Sequence, residues 1–318
     1  MPWPRPGLLV YNVLIKMATS KKIIQVAGPT AVGKTAIAIR LARHFNTEII
    51  SYDSRQCYQE LCIGVARPSP EELAAVPHHF IASHLVKDSL NAAWFEQYAL
   101  KLSRTLFERY DQVVMVGGTG LYWKAFAEGM DAVPAIDPML RERITQQYQE
   151  RGMDWLTKEL EAHDPVFAKS GEMQNPQRMM RALEVMLETG QSILTFQKGT
   201  KSPREFDVIS VGLELPRPVL IERINERVDQ MMNQGLLEEV RSLMPYASLN
   251  ALQTVGYTEL FSFLNHEISL EEAVDRIKIN TRQYAKRQMT WFRRDTSTQW
   301  FTPLQTDAIM QFVENKLN

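Results

Sequence analysis

The chain has 318 residues, 45% of them hydrophobic and 23% charged, a balance that buries a core in one large domain or two modest ones. A formal net charge of −1 excludes nucleic-acid affinity from global charge, so any such affinity has to come from local clusters. The only cysteines, Cys57 and Cys62, lie five apart without histidine at metal-ligand spacing, which predicts free thiols in a reducing compartment and no structural zinc.

Residues 1–21 read as an N-terminal extension, with Met17 a candidate start. Their apolar run, Leu8 to Ile15, is too short to span a bilayer and lacks a small-residue cleavage site; a transit peptide is the weaker reading, since Arg5 and Lys16 are its main charges. No other segment approaches about 18 consecutive apolar residues, and a cytoplasmic location is expected.

"KIIQVAG" (Lys22–Gly28) is a β-branched run ending in glycine, and "KTAIAIRLARHF" (Lys34–Phe45) has helical periodicity. Between them "GPTAVGKT" has the spacing G-x-x-x-x-G-K-[ST] of a loop that cradles phosphate. Gly28, Pro29, Thr30, Ala31, Val32 and Gly33 form the nest, Lys34 is expected to reach the terminal phosphate, and Thr35 to help hold Mg²⁺. A second strand, "TEIISYD" (Thr47–Asp53), ends on aspartate, and after a helix at about residues 92–109 a third follows, "QVVMVGGTGLY" (Gln112–Tyr122). This alternation predicts an α/β fold: a P-loop NTPase-like parallel sheet covered by helices.

From Ala132 to about Glu205 only helical stretches occur, one of them punctuated by Asn175 as N-cap, Pro176 at the first helical position and Gly190 as the stop. A strand returns in "FDVISVGLEL" (Phe206–Leu215), followed by a long helix from near Arg217 toward Leu243. The chain therefore reads as a catalytic core from residues 22–130 and 206–318, with an all-helical domain inserted at 131–205. The last strong element starts at Ser269 with a capping box, and from Arg276 to Arg294 it carries seven basic residues and no acidic one. On it Val274, Ile277, Ala285, Met289 and Phe292 form an apolar stripe beside Lys278, Arg282, Lys286 and Arg293.

A P-loop hydrolase places a second carboxylate at a strand end to organise metal and water. Here the natural strand, "VVMVGG", ends in Gly117 and Gly118, and the strand-end carboxylate is Asp53. It fits a metal ligand, a general base for an acceptor, or a plain turn cap. "GGTG" (Gly117–Gly120) either lets backbone approach a ligand, with Thr119 offering a hydroxyl, or simply makes a tight turn. Arg223 and Arg227 share a helix face, solvated or with one entering the phosphate site. Arg178 and Arg181 sit at a helix N-terminus, unfavourable against the dipole, and with the basic last helix and its Tyr284, Trp291 and Phe292 they point to a nucleic-acid backbone or to a solvated basic face.

Taken in order, "GPTAVGKT", "DSRQCY" (Asp53–Tyr58), "IGVARP" (Ile63–Pro68), "HHF" (His78–Phe80), "GGTGLY", "NPQRMMRALEV" (Asn175–Val185), "RINERVDQM" with "GLLEEV" (Arg223–Val240), "TVGYTE" (Thr254–Glu259) and "AKRQMTWFR" (Ala285–Arg293) resemble the tRNA dimethylallyltransferase family, bacterial type, over residues 22 to 301. "IGVARP" departs from it with Val65 and Arg67 where the family often has Thr and Lys, and "QELCIG" replaces the common Gly-Met-Asp before Ile-Gly.

The resemblance implies transfer of a dimethylallyl group from dimethylallyl diphosphate to the exocyclic amine of the adenosine 3′ to the anticodon, by a monomer using Mg²⁺. It implies catalytic roles for Asp53 as base, Thr119 and Arg227, and diphosphate binding by residues 28–35. It implies tRNA contacts from Asp53, Ser54, Arg55 and Gln56, from Gln177, Arg178, Met179, Met180 and Arg181, and from Gly256, Tyr257, Lys286, Arg287 and Gln288. Core and insertion would then act as two jaws on the anticodon stem-loop. The competing readings are an adenylate isopentenyltransferase, a small-molecule kinase and a nucleotide-gated RNA-binding protein; the Gln177–Arg181 cluster and the basic last helix weigh against the first two.

Overall fold

Residues 21–170 and 172–317 are described by a computed structural model, so the extension read over 1–21 lies outside them but for Lys21. The first strand, β1 (Lys22–Ala27), is apolar on both faces, and Ile23, Ile24 and Val26 are fully buried, as in a central parallel strand. It is followed by α1 (Lys34–His44), β2 (Ile49–Ser51), α2 (Pro70–Ala75), β3 (His78–His79), α3 (Ala92–Phe107), β4 (Gln112–Val116) and α4 (Gly120–Glu128). Next come α5 (Pro138–His163), α6 (Pro165–Ala168) and α7 (Pro176–Thr189), without a strand. The chain re-enters the sheet in β5 (Asp207–Leu213) and ends with α8 (Arg217–Asn233), α9 (Leu236–Ser242), α10 (Tyr257–Leu264), α11 (Leu270–Phe292), β6 (Gln299–Phe301) and α12 (Thr306–Leu317).

The six strands are all parallel, in the order β3-β2-β4-β1-β5-β6. Alternation along β1 divides the core: Ile23 packs with Tyr52, Phe95, Met115 and Phe126, and Ile24 and Val26 pack with Ile37, Leu41, Val211 and Val313. In this order the carboxyl ends of β1, β4 and β2 lie side by side, the usual ligand-binding edge of an open parallel sheet.

The third strand ends sooner than its glycine-rich sequence suggests, at Val116, and Gly120–Tyr122 already belong to α4. The helix read from Arg217 toward Leu243 is broken at Gly235, whose φ of 97° is left-handed, giving α8 and α9. The edge strands β3 and β6 are two and three residues long, too short to show a period, and the "HHF" motif is β3 with Phe80 beside it.

Two compact units result: one carries the sheet, and the other, Glu128–Pro203, is helical. The helical unit has its own core of Trp155, Leu156, Leu160, Phe167, Met179 and Leu183. Its α7 is set by local signals: Asn175 Oδ1 accepts from the Arg178 N–H at 3.3 Å, Pro176 takes the first position, and Gly190 at φ 70° ends it.

Candidate active site

Gly28 leaves β1 at φ 146°, and a Cβ there would lie 2.6 Å from the Leu213 carbonyl oxygen, so only glycine lets the chain turn beside β5. The loop closes at Gly33 (φ 103°), which starts α1 with Lys34 as its first residue. Lys34 Nζ donates to the Pro29 carbonyl at 2.8 Å. Loss of solvent pulls the Lys34 pKa down to about 7, against the upward pull of Asp53, and Arg227 adds to the lowering. The Arg227 guanidinium, from α8, is likewise lowered by burial, and its Nη1 donates to Thr30 Oγ1 at 3.4 Å. Lys34, Thr35, Asp53, Thr119 and Arg227 line one cleft of about 930 Å³.

Asp53 follows β2 after one residue, Tyr52. Its Oδ1 accepts from the N–H groups of Arg55 (2.9 Å) and Gln56 (3.3 Å), so the turn-cap reading is satisfied by one oxygen. No described residue donates a hydrogen bond to Oδ2. Thr119 Oγ1 accepts from the Ser54 N–H at 3.1 Å and donates to Ser54 Oγ at 3.2 Å, tying the β4 turn to the turn after Asp53. The glycines of "GGTG" are explained by protein neighbours: a Cβ on Gly117 would lie 2.5 Å from the Tyr52 ring, on Gly118 2.1 Å from Gln288 Nε2, and on Gly120 2.2 Å from the Trp291 ring.

The third wall comes from α11, where Ile277, Asn280, Thr281, Tyr284, Arg287 and Gln288 recur at helical spacing along the cleft. Gln288, 5% exposed, is engaged at both ends of its amide: Oε1 accepts from the Thr30 N–H at 2.8 Å and Nε2 donates to the Gly118 carbonyl at 3.0 Å. It therefore bridges P-loop and β4 turn while lining the cleft. Tyr284, expected only as an aromatic of the basic last helix, lines the catalytic cleft; burial pushes its phenol above the usual range, the Asp53 charge adding to this. The signal that could have found it is its position one turn before Gln288 on the same face.

Other expected contacts also have protein partners. Met179 is 0% exposed and Met180 is buried, and both side chains pack in the helical unit's core. Arg178 and Arg181 are not misplaced charges: Arg178 Nη1 donates to Glu172 at 2.7 Å and Arg181 Nη1 to Glu184 at 3.1 Å. Tyr257 is fully buried with its hydroxyl donating to Glu239. Gly256 stands at φ 98° before α10 and lines the cleft. The Gln56 amide donates to the carbonyls of Val65 (3.1 Å) and Ala66 (2.9 Å). Of the basic expected contacts, Arg55, Lys286 and Arg287 are in no ion pair among the described residues; Arg287 and Lys286 are exposed on α11, with the Arg287 guanidinium 5.9 Å from the Tyr284 ring centroid. Cys57 is free and buried beside the Asp53 turn, its thiol pushed up to about 12 by burial, and Cys62 is free and exposed.

A family model described as IPP transferase matches residues 56–295. A tRNA dimethylallyltransferase of Christiangramia forsetii is 46% identical over 300 residues, 94% of this chain and 99% of that protein. The crystal structure of a full-length tRNA isopentenylpyrophosphate transferase from Bacillus halodurans aligns with TM-score 0.69 and 35% identity, covering 94% of this chain and 97% of the other. A eukaryotic dimethylallyltransferase acting on tRNA aligns with TM-score 0.69 and 29% identity over 86% of this chain and 70% of that one. With the P-loop, Asp53 and Thr119 on one cleft and these relatives spanning nearly its whole length, the chain belongs to the IPP transferase family, that of the tRNA dimethylallyltransferases.

Proposed function

We propose that this protein transfers the dimethylallyl group of dimethylallyl diphosphate to the exocyclic amine of the adenosine 3′ to the anticodon in tRNA, releasing diphosphate. The observation that carries this reading is a phosphate loop and an aspartate oxygen without a protein donor on one cleft, with glycines where a hydrolase's second carboxylate would stand. In the reaction the bond between the first prenyl carbon and the diphosphate oxygen breaks as the amine nitrogen bonds to that carbon. Lys34, Arg227 and the loop amides other than that of Thr30 stabilise the departing charge, each donor contributing roughly 10²–10³ in rate. Asp53 Oδ2 takes the amine proton, worth roughly 10²–10⁴, and Thr119 orients the reacting groups. No water needs activating.

Among the described residues no cluster of three or more metal-ligating side chains exists, but the Thr35 hydroxyl lines the cleft, which fits Mg²⁺ held by one protein oxygen and the diphosphate. Such an ion supplies further neutralisation of the leaving group. The target base has to leave its stack to enter the cleft. Ser54, Arg55, Arg287 and Lys286, with Gln177, Arg178 and Arg181 of the helical unit, are the proposed backbone and base contacts. No helix of the described residues is long and apolar enough to cross a membrane. A tRNA substrate would be met in the cytoplasm, where we propose that the protein acts as a monomer.

The test offers labelled dimethylallyl diphosphate with unmodified tRNA, AMP or ATP in separate reactions. Label is expected on tRNA; label on AMP alone, or ATP consumption without prenyl transfer, overturns the reading.

A further inference from the structure

Three stretches singled out in the sequence take no part in the chemistry above: "IGVARP", "GLLEEV" and "TVGYTE". They meet at the carboxylate of Glu239 in α9. Its Oε2 accepts from the N–H groups of Cys62 (3.1 Å) and Ile63 (2.8 Å), and its Oε1 from the Gly64 N–H (3.0 Å) and the Tyr257 hydroxyl (2.6 Å). Gly64 lies on the Tyr257 ring so closely that a Cβ would come within 2.6 Å of it. Burial holds the Tyr257 phenol protonated, hence a donor.

The loop so gripped runs on to the Val65 and Ala66 carbonyls, which accept from Gln56 Nε2, and the Gln56 N–H donates to Asp53 Oδ1. At its far end Arg67 Nη2 lies within hydrogen-bond distance of the carbonyls of Tyr58, Gln59 and Leu61. Hydrogen bonds joined by the loop backbone and by Gln56 thus lead from α9 to the turn that holds Asp53.

We infer that Glu239 is a positioning residue for Asp53, acting through the Cys62–Ala66 loop and Gln56. This rests on the role of Asp53 proposed above. Charge is needed because all four partners are donors: a glutamine would turn its NH₂ toward either the Cys62/Ile63 pair or the Gly64/Tyr257 pair and leave it without an acceptor.

The test is a double-mutant cycle on the full chain with Glu239→Gln and Gln56→Ala. It reads the single-turnover rate at saturating dimethylallyl diphosphate and tRNA, the donor KM, the tRNA Kd and the Tm. Glu239→Gln is expected to slow the saturated rate by roughly 10- to 100-fold with tRNA Kd unchanged, and the double variant to be no slower than the slower single one. Multiplicative losses, or a loss confined to KM or Kd, overturn the inference. Should Glu239→Gln not fold, Gln56→Ala alone decides: a wild-type rate overturns it, a slowed rate at unchanged Tm and Kd supports it. The Asp53 reading fails separately, if Asp53→Asn still transfers at the wild-type rate.

Discussion

Because Asp53 Oδ1 holds the N–H groups of Arg55 and Gln56, removing the whole carboxylate removes a turn cap along with any base. Asparagine separates the two, since its carbonyl keeps the cap while its amide has no basicity. Asp53→Asn is expected to fold with wild-type tRNA affinity and to lose roughly 10²–10⁴ in transfer rate, and Asp53→Ala to lose in addition about 1 kcal/mol of stability. Rapid-quench transfer assays beside urea denaturation check this; equal stability losses in both variants would make the cap argument wrong. At this scale the sequence speaks unevenly. Loop residues with special backbone needs, such as Gly28 and Gly33, are legible because few residue types meet those needs. The protein partners of Met179, Tyr257 and Gln288 are not, because a motif records that a side chain is required and not what it packs against.

At the level of elements, β2 and β4 are long enough in context to be read, and the edge strand β3 is anchored by something no pattern displays. Just before β2 stands Glu48, its side chain 9% exposed, accepting from His79 Nε2 (2.6 Å) and the Tyr110 hydroxyl (2.9 Å), with Arg109 Nη1 3.0 Å away. Burial alone would raise its pKa; these partners outweigh burial and hold it below the ordinary 4.5. A carboxylate depressed in the folded state contributes stability above its unfolded pKa and loses it as pH falls through the folded value. Glu48→Gln is therefore expected to be less stable than wild type near neutral pH, with the gap closing below about pH 4.5. Urea midpoints from about pH 7 to about pH 3 test it, and a gap constant with pH would refute it. In α11 periodicity separated core from surface, while the cleft-lining face stayed hidden, since a site wall made of Tyr284, Thr281 and Gln288 has no hydropathy of its own.

For the whole molecule, a net charge of −1 leaves RNA affinity to patches, and three of the seven basic residues from Arg276 to Arg294 already have acids: Lys278 pairs with Asp229 at 2.6 Å, Arg276 with Glu272 at 2.6 Å and Arg293 with Glu214 at 2.8 Å. Lys286 and Arg287 remain exposed and outside these pairs. Arg287→Ala is expected to weaken tRNA binding and to flatten the plot of log affinity against log salt by about one unit, as for one lost phosphate contact. An unchanged slope in filter binding over a salt series would remove it from the interface. The overall architecture was legible because strand–helix alternation, and its interruption after α4, are long-range patterns that single substitutions do not blur.

The bridge from Thr30 to Gln288 joins residues 258 positions apart, and β1 is flanked on one side by β5, which is made only after the helical unit. On the ribosome, then, the phosphate-binding segment emerges long before the residue that finishes it. A polypeptide released short of Gln288 would carry every residue of "GPTAVGKT" and still lack the amide that ties it to the β4 turn.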